Sequence, residues 1–247
     1  MLWGSYGLVH IITLIISACM ILGIYFILRN RSEKTKVLVL FILSLSGLAA
    51  IIFNLVTWGS PLEYLPFHMC SITALILPIA ILTRSKIFSN LLLFWCLGAA
   101  MAIICNQGQA NYVIPSATFF FYYIPHTLEF GIPILMFALK IVKKDVRCIA
   151  STVVITMAIY TLVHFINLAI NSYCAANAIT TPSGEIIQVN YMYSLFAPVP
   201  LMQAMYNLIP HSYWYMYVVV PFVVIYLAVV YLPEIISLIK ARKAKAN

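Results

Sequence analysis

Residues 6–57 read YGLVHIITLIISACMILGIYFIL, then RNRSEKTK, then VLVLFILSLSGLAAIIFNLVT. Each apolar run is long enough to cross the hydrocarbon core of a bilayer, which takes about 20 helical residues. The spacer between them carries Arg29, Arg31, Lys34 and Lys36. The same alternation continues along the chain. Arg84 and Lys86 form a second basic gap, Lys140, Lys143, Lys144 and Arg147 a third, and Lys240, Arg242, Lys243 and Lys245 a basic tail. All 14 Lys and Arg fall in these four segments, and the alternate gaps, about Gly59–Tyr64, Gln107–Pro115 and Asn171–His211, hold none. Lys and Arg collect in cytoplasmic loops because they are the residues least easily moved across the membrane. The pattern predicts an all-α polytopic membrane protein with its N-terminus outside, its C-terminus cytoplasmic and its basic loops on the cytoplasmic face of the cell membrane.

Backbone polar groups must all be paired inside lipid, so the spans are helices. Seven are expected, at about Tyr6–Leu28, Val37–Thr57, Leu65–Thr83, Leu91–Asn106, Ser116–Leu139, Ile149–Ile170 and Tyr213–Ile236. They form a single domain over residues 1–247. The first run is too long and too aromatic for a cleaved signal peptide and is read as a span. Tyr191–Ile209 is apolar but interrupted by Pro198 and Pro200, which predicts an outer lid or re-entrant segment; an ordinary connecting loop is the alternative. Trp3, Tyr6, Trp58, Tyr64, Tyr112, Tyr173, Tyr213, Trp214 and Tyr215 are expected to form an aromatic belt at the outer headgroup level.

Composition excludes an ordinary soluble domain. Hydrophobic residues make up 64% of the chain and charged residues 8%, against about 25% charged in a typical globular protein. The net charge of +8 could indicate a nucleic-acid partner, but its juxtamembrane placement points to topology and anionic headgroups, so no nucleic acid is expected.

Polar side chains inside membrane helices face the bundle interior and are default functional candidates. Cys70 falls outward of centre on the third span, His126 slightly outward on the fifth and His164 outward on the sixth. Glu129 follows His126, and Asn167 follows His164, by three residues, which places each on the same helix face as its histidine. Asn54 and His68 add to the outward half. The set converges on one polar pocket opening outward.

A thiol is nucleophilic as its thiolate, and a nearby imidazole is the usual activator. Cys70 and His126 fit that pairing across two helices. Glu129 or His164 would hold the other imidazole nitrogen, and Asn167 or Asn54 would donate to a developing oxyanion. The corresponding reaction is acyl transfer through a thioester, with membrane lipids as partners and neither cofactor nor metal. Two other classes remain open. A metal-dependent membrane hydrolase would draw on His68, His126, His164, Glu129 and Cys70, although no dense ligand motif is present. A transporter or small-ligand binding protein would use the pocket for binding alone. Cys19, Cys96, Cys105, Cys148 and Cys174 lack such company, and a Cys105–Cys174 disulfide on the outer side is geometrically conceivable.

At these residues the sequence resembles a known family. Leu65-Pro66-Phe67-His68-Met69-Cys70 is similar to the L-P-x-H-x-C element of the YwaF-like bacterial membrane proteins and of eukaryotic transmembrane protein 164. His126, Asn167, Asn190-Tyr191-Met192-Tyr193 and Tyr231-Leu232-Pro233 continue the likeness in order. The resemblance implies a seven-helix fold. For the eukaryotic branch it implies a cysteine-dependent acyltransferase acting on lysophospholipids, including ether lipids, with Cys70 as nucleophile and His126 as base. Asn190, Tyr191 and Tyr193 would then contact substrate. The bacterial branch, closer in length and loops, brings no activity with it. Ser172–Val189 looks longer than the family's usual outer segment.

Overall fold

The computed structural model describes residues 1–106 and 108–246, with side chains through Ala241. Gln107, which opens the second uncharged gap, and the side chains of Arg242, Lys243 and Lys245 in the basic tail lie outside the described residues. Eight α-helices and no strands are present among the described residues: α1 Leu8–Leu28, α2 Glu33–Thr57, α3 Met69–Thr83, α4 Lys86–Cys105, α5 Ala117–Ala138, α6 Cys148–Ala176, α7 Pro200–Leu208 and α8 Val220–Ala246. Short 3₁₀ turns occur at Pro61–Tyr64, Tyr191–Tyr193 and Trp214–Val219. Five helices are long and apolar enough to cross a membrane: α1, α2, α4, α6 and the Trp214–Ala241 stretch. α3 is apolar but has only 15 residues, about 22 Å of rise. α5 is long enough, but its His126, Glu129 and two prolines set it apart from the other five.

Local chemistry accounts for where the helices depart from the expected boundaries. α3 starts at Met69 rather than Leu65. Leu65 precedes Pro66 and sits at φ −57°, ψ 146°, the extended conformation that a following proline enforces. α4 starts at Lys86 rather than Leu91, because the Ser85 hydroxyl accepts from the Phe88 N–H and caps it. α6 runs to Ala176, two turns past Ile170. The seventh expected span is a 3₁₀ turn followed by α8, whose second residue is Pro221, a favoured first-turn position. The segment expected as a lid contains the Tyr191–Tyr193 turn and the nine-residue α7, which buries none of its residues.

α5 is the central helix and packs against α1, α2, α3 and α4. Two glycines permit this crowding. A Cβ at Gly47 on α2 would stand 2.6 Å from the Ala74 Cβ of α3 and 3.1 Å from Glu129 Oε1 of α5. A Cβ at Gly131 would meet the Ile21 side chain of α1 at 2.6 Å. α6 packs on α4, and its C-terminal half meets the Tyr191–Tyr193 turn. α8 is tied to the loop between α5 and α6 through Lys144, which reaches Glu234 Oε1 at 3.1 Å and donates to the Val230 carbonyl at 2.7 Å.

The basic segments gather at one end of the bundle. Arg84 pairs with Glu33 at 2.5 Å, and Lys36 donates to the Leu139 carbonyl at 3.3 Å. The gaps without Lys or Arg gather at the other end, where residues 1–5 lie against Asn106 and residues 110–114. Trp3 N–H donates to the Tyr112 carbonyl, Gly4 N–H to that of Ala110, and the Met1 ammonium to that of Ile114.

Two sequence expectations are corrected here. Trp3 and Tyr215 are not belt residues: they are 1% and 0% exposed. The Trp3 indole N–H donates to Thr13 at 2.9 Å and its ring meets Phe119 edge-on, because the N-terminal segment folds back into the bundle. Cys105 and Cys174 are both free thiols; Cys174 is buried among Tyr191 and its neighbours, in the cluster beneath the turn.

The close approach at Gly47 is testable. Gly47→Ala should destabilise the protein by about 1–3 kcal/mol, because both obstructing groups belong to packed helices. Gly23→Ala, at a site with nothing within 4 Å, should leave the thermal unfolding midpoint in detergent unchanged or raise it slightly.

Candidate active site

Cys70 is the second residue of α3 and is partly buried. At this position the N–H groups of Met69, Cys70 and Ser71 have no intrahelical acceptor, and the His68 side chain does not cap them. The first intrahelical bond is the one from Ile72 N–H to the His68 carbonyl. The thiol therefore stands beside a set of uncommitted backbone donors at the positive end of a helix.

His126 approaches from α5. Its Nδ1 lies 2.7 Å from the Tyr122 carbonyl oxygen. A carbonyl can only accept, so in the neutral ring Nδ1 carries the proton and Nε2 keeps its lone pair. The Tyr122 ring lies over the imidazole with centroids 4.2 Å apart and planes 30° apart. Its hydroxyl is committed to the Ala102 carbonyl at 3.1 Å. Tyr122 thus fixes both the tautomer and the ring plane of His126. Sequence reasoning gave the tautomer-fixing role to Glu129 or His164 and passed over Tyr122, although its i, i+4 spacing from His126 on one helix was available as a signal.

Cys70 lies within electrostatic range of Tyr122, Tyr193 and Glu129, and His126 within range of His68 and Glu129. The two residues share this neighbourhood, but no hydrogen bond joins them among the described residues. Glu129 is 4% exposed, and its Oε2 has no hydrogen-bond partner among the described residues. A carboxyl group in that setting must be hydrated or protonated if nothing pairs with it.

His164 is placed elsewhere. Its Nδ1 lies 3.1 Å from Ser194 Oγ, and its ring tilts against Tyr213 at 5.0 Å. Asn167, wholly buried, donates to the Tyr191 carbonyl at 2.8 Å and to Ser194 Oγ at 3.0 Å, and accepts from the Tyr191 N–H at 3.0 Å. Both residues are spent on holding the 190–194 turn, which leaves no Asn167 N–H for an oxyanion. Ser194, 0% exposed, is the bridging residue that sequence reasoning missed. Asn54, on α2, engages no side-chain partner among the described residues.

The turn itself lies over His68. Met192 N–H donates to His68 Nδ1 at 3.3 Å, and the His68 ring meets those of Tyr191 and Tyr193, each at 5.4 Å. Met192 and Tyr193 both have positive φ, 51° and 55°. This conformation is costly for residues with side chains and persists only where the surroundings over-determine it. Of the three residues expected to contact substrate, Asn190 closes the turn onto Phe196 and Leu195. Tyr191 is buried, with its hydroxyl on the Leu62 carbonyl. The Tyr193 hydroxyl makes no hydrogen bond among the described residues.

Beside the turn lies a cavity of about 290 Å³ lined by Glu63, Tyr64, His68, Gln188, Asn190 and Tyr193, among others. A second, of about 530 Å³, adjoins it through Glu63 and Gln188 and is lined further by Thr181 and Glu185. Both lie at the end of the bundle whose gaps hold no Lys or Arg, and Glu63 and Glu185 give their walls acidic groups. Among the described residues no three His, Cys, Asp or Glu side chains gather to hold a metal ion. His68, His126, His164, Glu129 and Cys70 are accordingly not gathered as a set of three or more candidate ligands in this structure.

The profile of the TMEM164 family matches residues 5–232. The chain belongs to the TMEM164 family. No curated protein and no solved structure matches it. Membership and the five long apolar helices together make it a multi-pass membrane protein. The family match takes in α3, α5 and the 190–194 turn, so every residue of the candidate site lies inside it.

The latch at Asn167 generates a measurable expectation. Asn167→Ala leaves the buried N–H and carbonyl of Tyr191 without partners, at a cost of about 2–4 kcal/mol. The variant should unfold at lower temperature than wild type in detergent, and limited proteolysis should cut first between residues 190 and 200.

Proposed function

We propose that this protein is a membrane-embedded acyltransferase acting on phospholipids and lysophospholipids, with Cys70 as the acyl-carrying nucleophile and His126 as its base. The observation that carries the reading is the His126 tautomer: Nδ1–H is held by the Tyr122 carbonyl, which leaves the Nε2 lone pair free, and both His126 and Cys70 lie within electrostatic range of Glu129. The likeness of the Leu65–Cys70 motif to the YwaF-like proteins and to transmembrane protein 164 supports the same pair. In the first half-reaction His126 Nε2 takes the Cys70 proton and the sulfur attacks an acyl carbonyl carbon of a phospholipid. The C–S bond forms, the ester C–O bond breaks, and the departing lysolipid oxygen takes the proton from Nε2–H. In the second, the hydroxyl of an acceptor lysolipid gives its proton to Nε2 and attacks the thioester. The new C–O bond forms and the C–S bond breaks. The proton returns to sulfur. One ester replaces another, so no cofactor is consumed.

The proposal includes seven crossings, with the N-terminus outside and the basic loops in the cytoplasm of the cell membrane. Two features support the added α3 and α5 crossings. α5 is surrounded by α1–α4, which shields its polar residues from lipid. α3, though short, is continued outward by the ordered Pro61–His68 segment. Clustering of the basic loops at one end of the bundle supports the orientation. The adjoining outer cavities also suit a second reading, small-ligand binding or transport, in which Cys70 has no covalent role.

Two experiments test these points. Purified wild-type protein given a phospholipid donor should carry a hydroxylamine-sensitive acyl adduct that Cys70→Ala lacks; acyl transfer at the wild-type rate by Cys70→Ala would rule out the thioester. Full biological function in Cys70→Ser would favour the binding reading. For topology, Thr181→Cys should react with an impermeant maleimide in intact cells, and Lys143→Cys only after permeabilisation. The reverse pattern would invert the orientation.

A further inference from the structure

Acyl transfer needs a donor for the oxygen that becomes charged when sulfur adds to the carbonyl, and hydrogen bonds aimed at that oxygen are commonly the largest single contribution to catalysis. The two asparagines expected to serve do not. Asn167 is committed to Tyr191 and Ser194, and Asn54 has no described link to the cysteine. The neighbouring phenols are mostly spent as well: Tyr122 donates to Ala102, Tyr191 to Leu62 and Tyr215 to the Tyr193 carbonyl. Tyr193 differs. Its hydroxyl donates to nothing among the described residues, its ring packs on His68, two residues before Cys70, and it forms part of the wall of the 290 Å³ cavity.

The backbone that presents Tyr193 is strained in a way that packing alone does not require. Met192 and Tyr193 sit consecutively at positive φ, and several bonds hold them there: the three made by Asn167, the one from Met192 N–H to His68, and the one from Tyr193 N–H to the Asn190 carbonyl at 3.0 Å. Strain kept in place by so many partners is characteristic of a residue whose direction matters. Its result here is a turn that brings Tyr193 to the rim above the start of α3.

We infer that the Tyr193 hydroxyl is the side-chain oxyanion donor for acyl transfer at Cys70, acting with the uncapped N–H groups at the N-terminus of α3. This rests on the thioester reading above and adds a residue to it. As sulfur bonds to the acyl carbon, the carbonyl π pair moves to oxygen, and that oxygen accepts from Tyr193 O–H. When the C=O re-forms, the ester C–O bond breaks and the leaving oxygen takes the proton from His126. Tyr193 keeps its own proton throughout. A purely structural Tyr193 would serve only as an aromatic wall against His68, a role that phenylalanine fills equally well.

The test compares two reactions of the same sulfur in detergent-purified full-length protein. Alkylation by iodoacetamide passes through no tetrahedral oxyanion, whereas acylation by a p-nitrophenyl fatty ester does. Tyr193→Phe should alkylate at Cys70 within twofold of wild type, yet acylate slower by on the order of 10²- to 10³-fold, with the loss in kcat and KM little changed. Tyr193→His, which keeps a ring and an N–H donor, should recover part of the acylation rate; it also carries the test if the phenylalanine variant unfolds. Acylation of Tyr193→Phe within twofold of wild type overturns the inference. So does an equal loss of both reactions, which marks a structural role. If Cys70→Ala still transfers acyl groups, the thioester reading fails and this one with it. If only Tyr193→Phe behaves normally, the thioester reading stands and the oxyanion assignment alone is lost.

Discussion

The missing side chain at Gly47 is the constraint from which the interior follows. It lets α2, α3 and α5 approach until the Ala74 methyl and the Glu129 carboxyl occupy the space a Cβ would take. That contact places the helix bearing His126 against the helix bearing Cys70. It also encloses α5 within α1–α4, so a helix carrying a histidine, a glutamate and two prolines can sit among strongly apolar neighbours. Buried polar groups in a membrane protein persist where other helices, and not lipid, surround them. Gly131 against Ile21 does the same for the α1 side.

Around that centre the polar residues divide into two kinds. One network is closed. Trp3, Thr13, Ser17, Tyr123 and Thr127 bond to one another or to nearby carbonyls. His10 accepts from the Tyr6 N–H at Nδ1 and donates from Nε2 to the Ile103 carbonyl. Every donor there has an acceptor, and the result is an N-terminal segment stitched into the bundle. The candidate site is open by comparison: His126 Nε2, the Tyr193 hydroxyl and Glu129 Oε2 have no hydrogen-bonding partners among the described residues, and the Cys70 thiol meets only the start of its own helix at Ser71. Unpaired buried oxygens also occur elsewhere among the described residues, at Ser46, Ser60 and Ser89 for example, so it is the cavity beside Tyr193 that marks this end of the bundle as a place for substrate.

The turn over the site reverses the expectation for its own residues. Asn190 and Tyr191, read as substrate contacts by resemblance, are occupied in shaping the turn, and Asn167 and His164 hold it from α6. Asn167 and His164 turn toward residues 190–194 because that backbone is irregular and cannot satisfy its own N–H and C=O groups, while Asn190 also lines the cavity. A buried irregular segment needs side-chain partners. From a list of residues these four look like chemistry; from their bonds they are scaffolding. Tyr122 and Ser194 were invisible for the opposite reason, since a tyrosine and a serine in an apolar chain attract no notice until their partners are known.

The sequence by itself determined that the chain lives in a membrane as a set of helices, which way its basic segments cluster, and which thiol and imidazole stand out. Those properties are set by hydropathy and charge along the chain, and each can be read one segment at a time. It also marked Leu65-Pro66 as a break, though not that α3 would wait until Met69 to begin. Only the tertiary structure decided that Trp3 is core, that Cys105 and Cys174 stay apart, that a backbone carbonyl rather than Glu129 orients His126, and that, among the described residues, the Tyr191 hydroxyl is bonded while that of Tyr193 is not. Each of these depends on which partner a polar atom meets across helices, and that is a property of packed surfaces that no periodicity along one strand of sequence encodes.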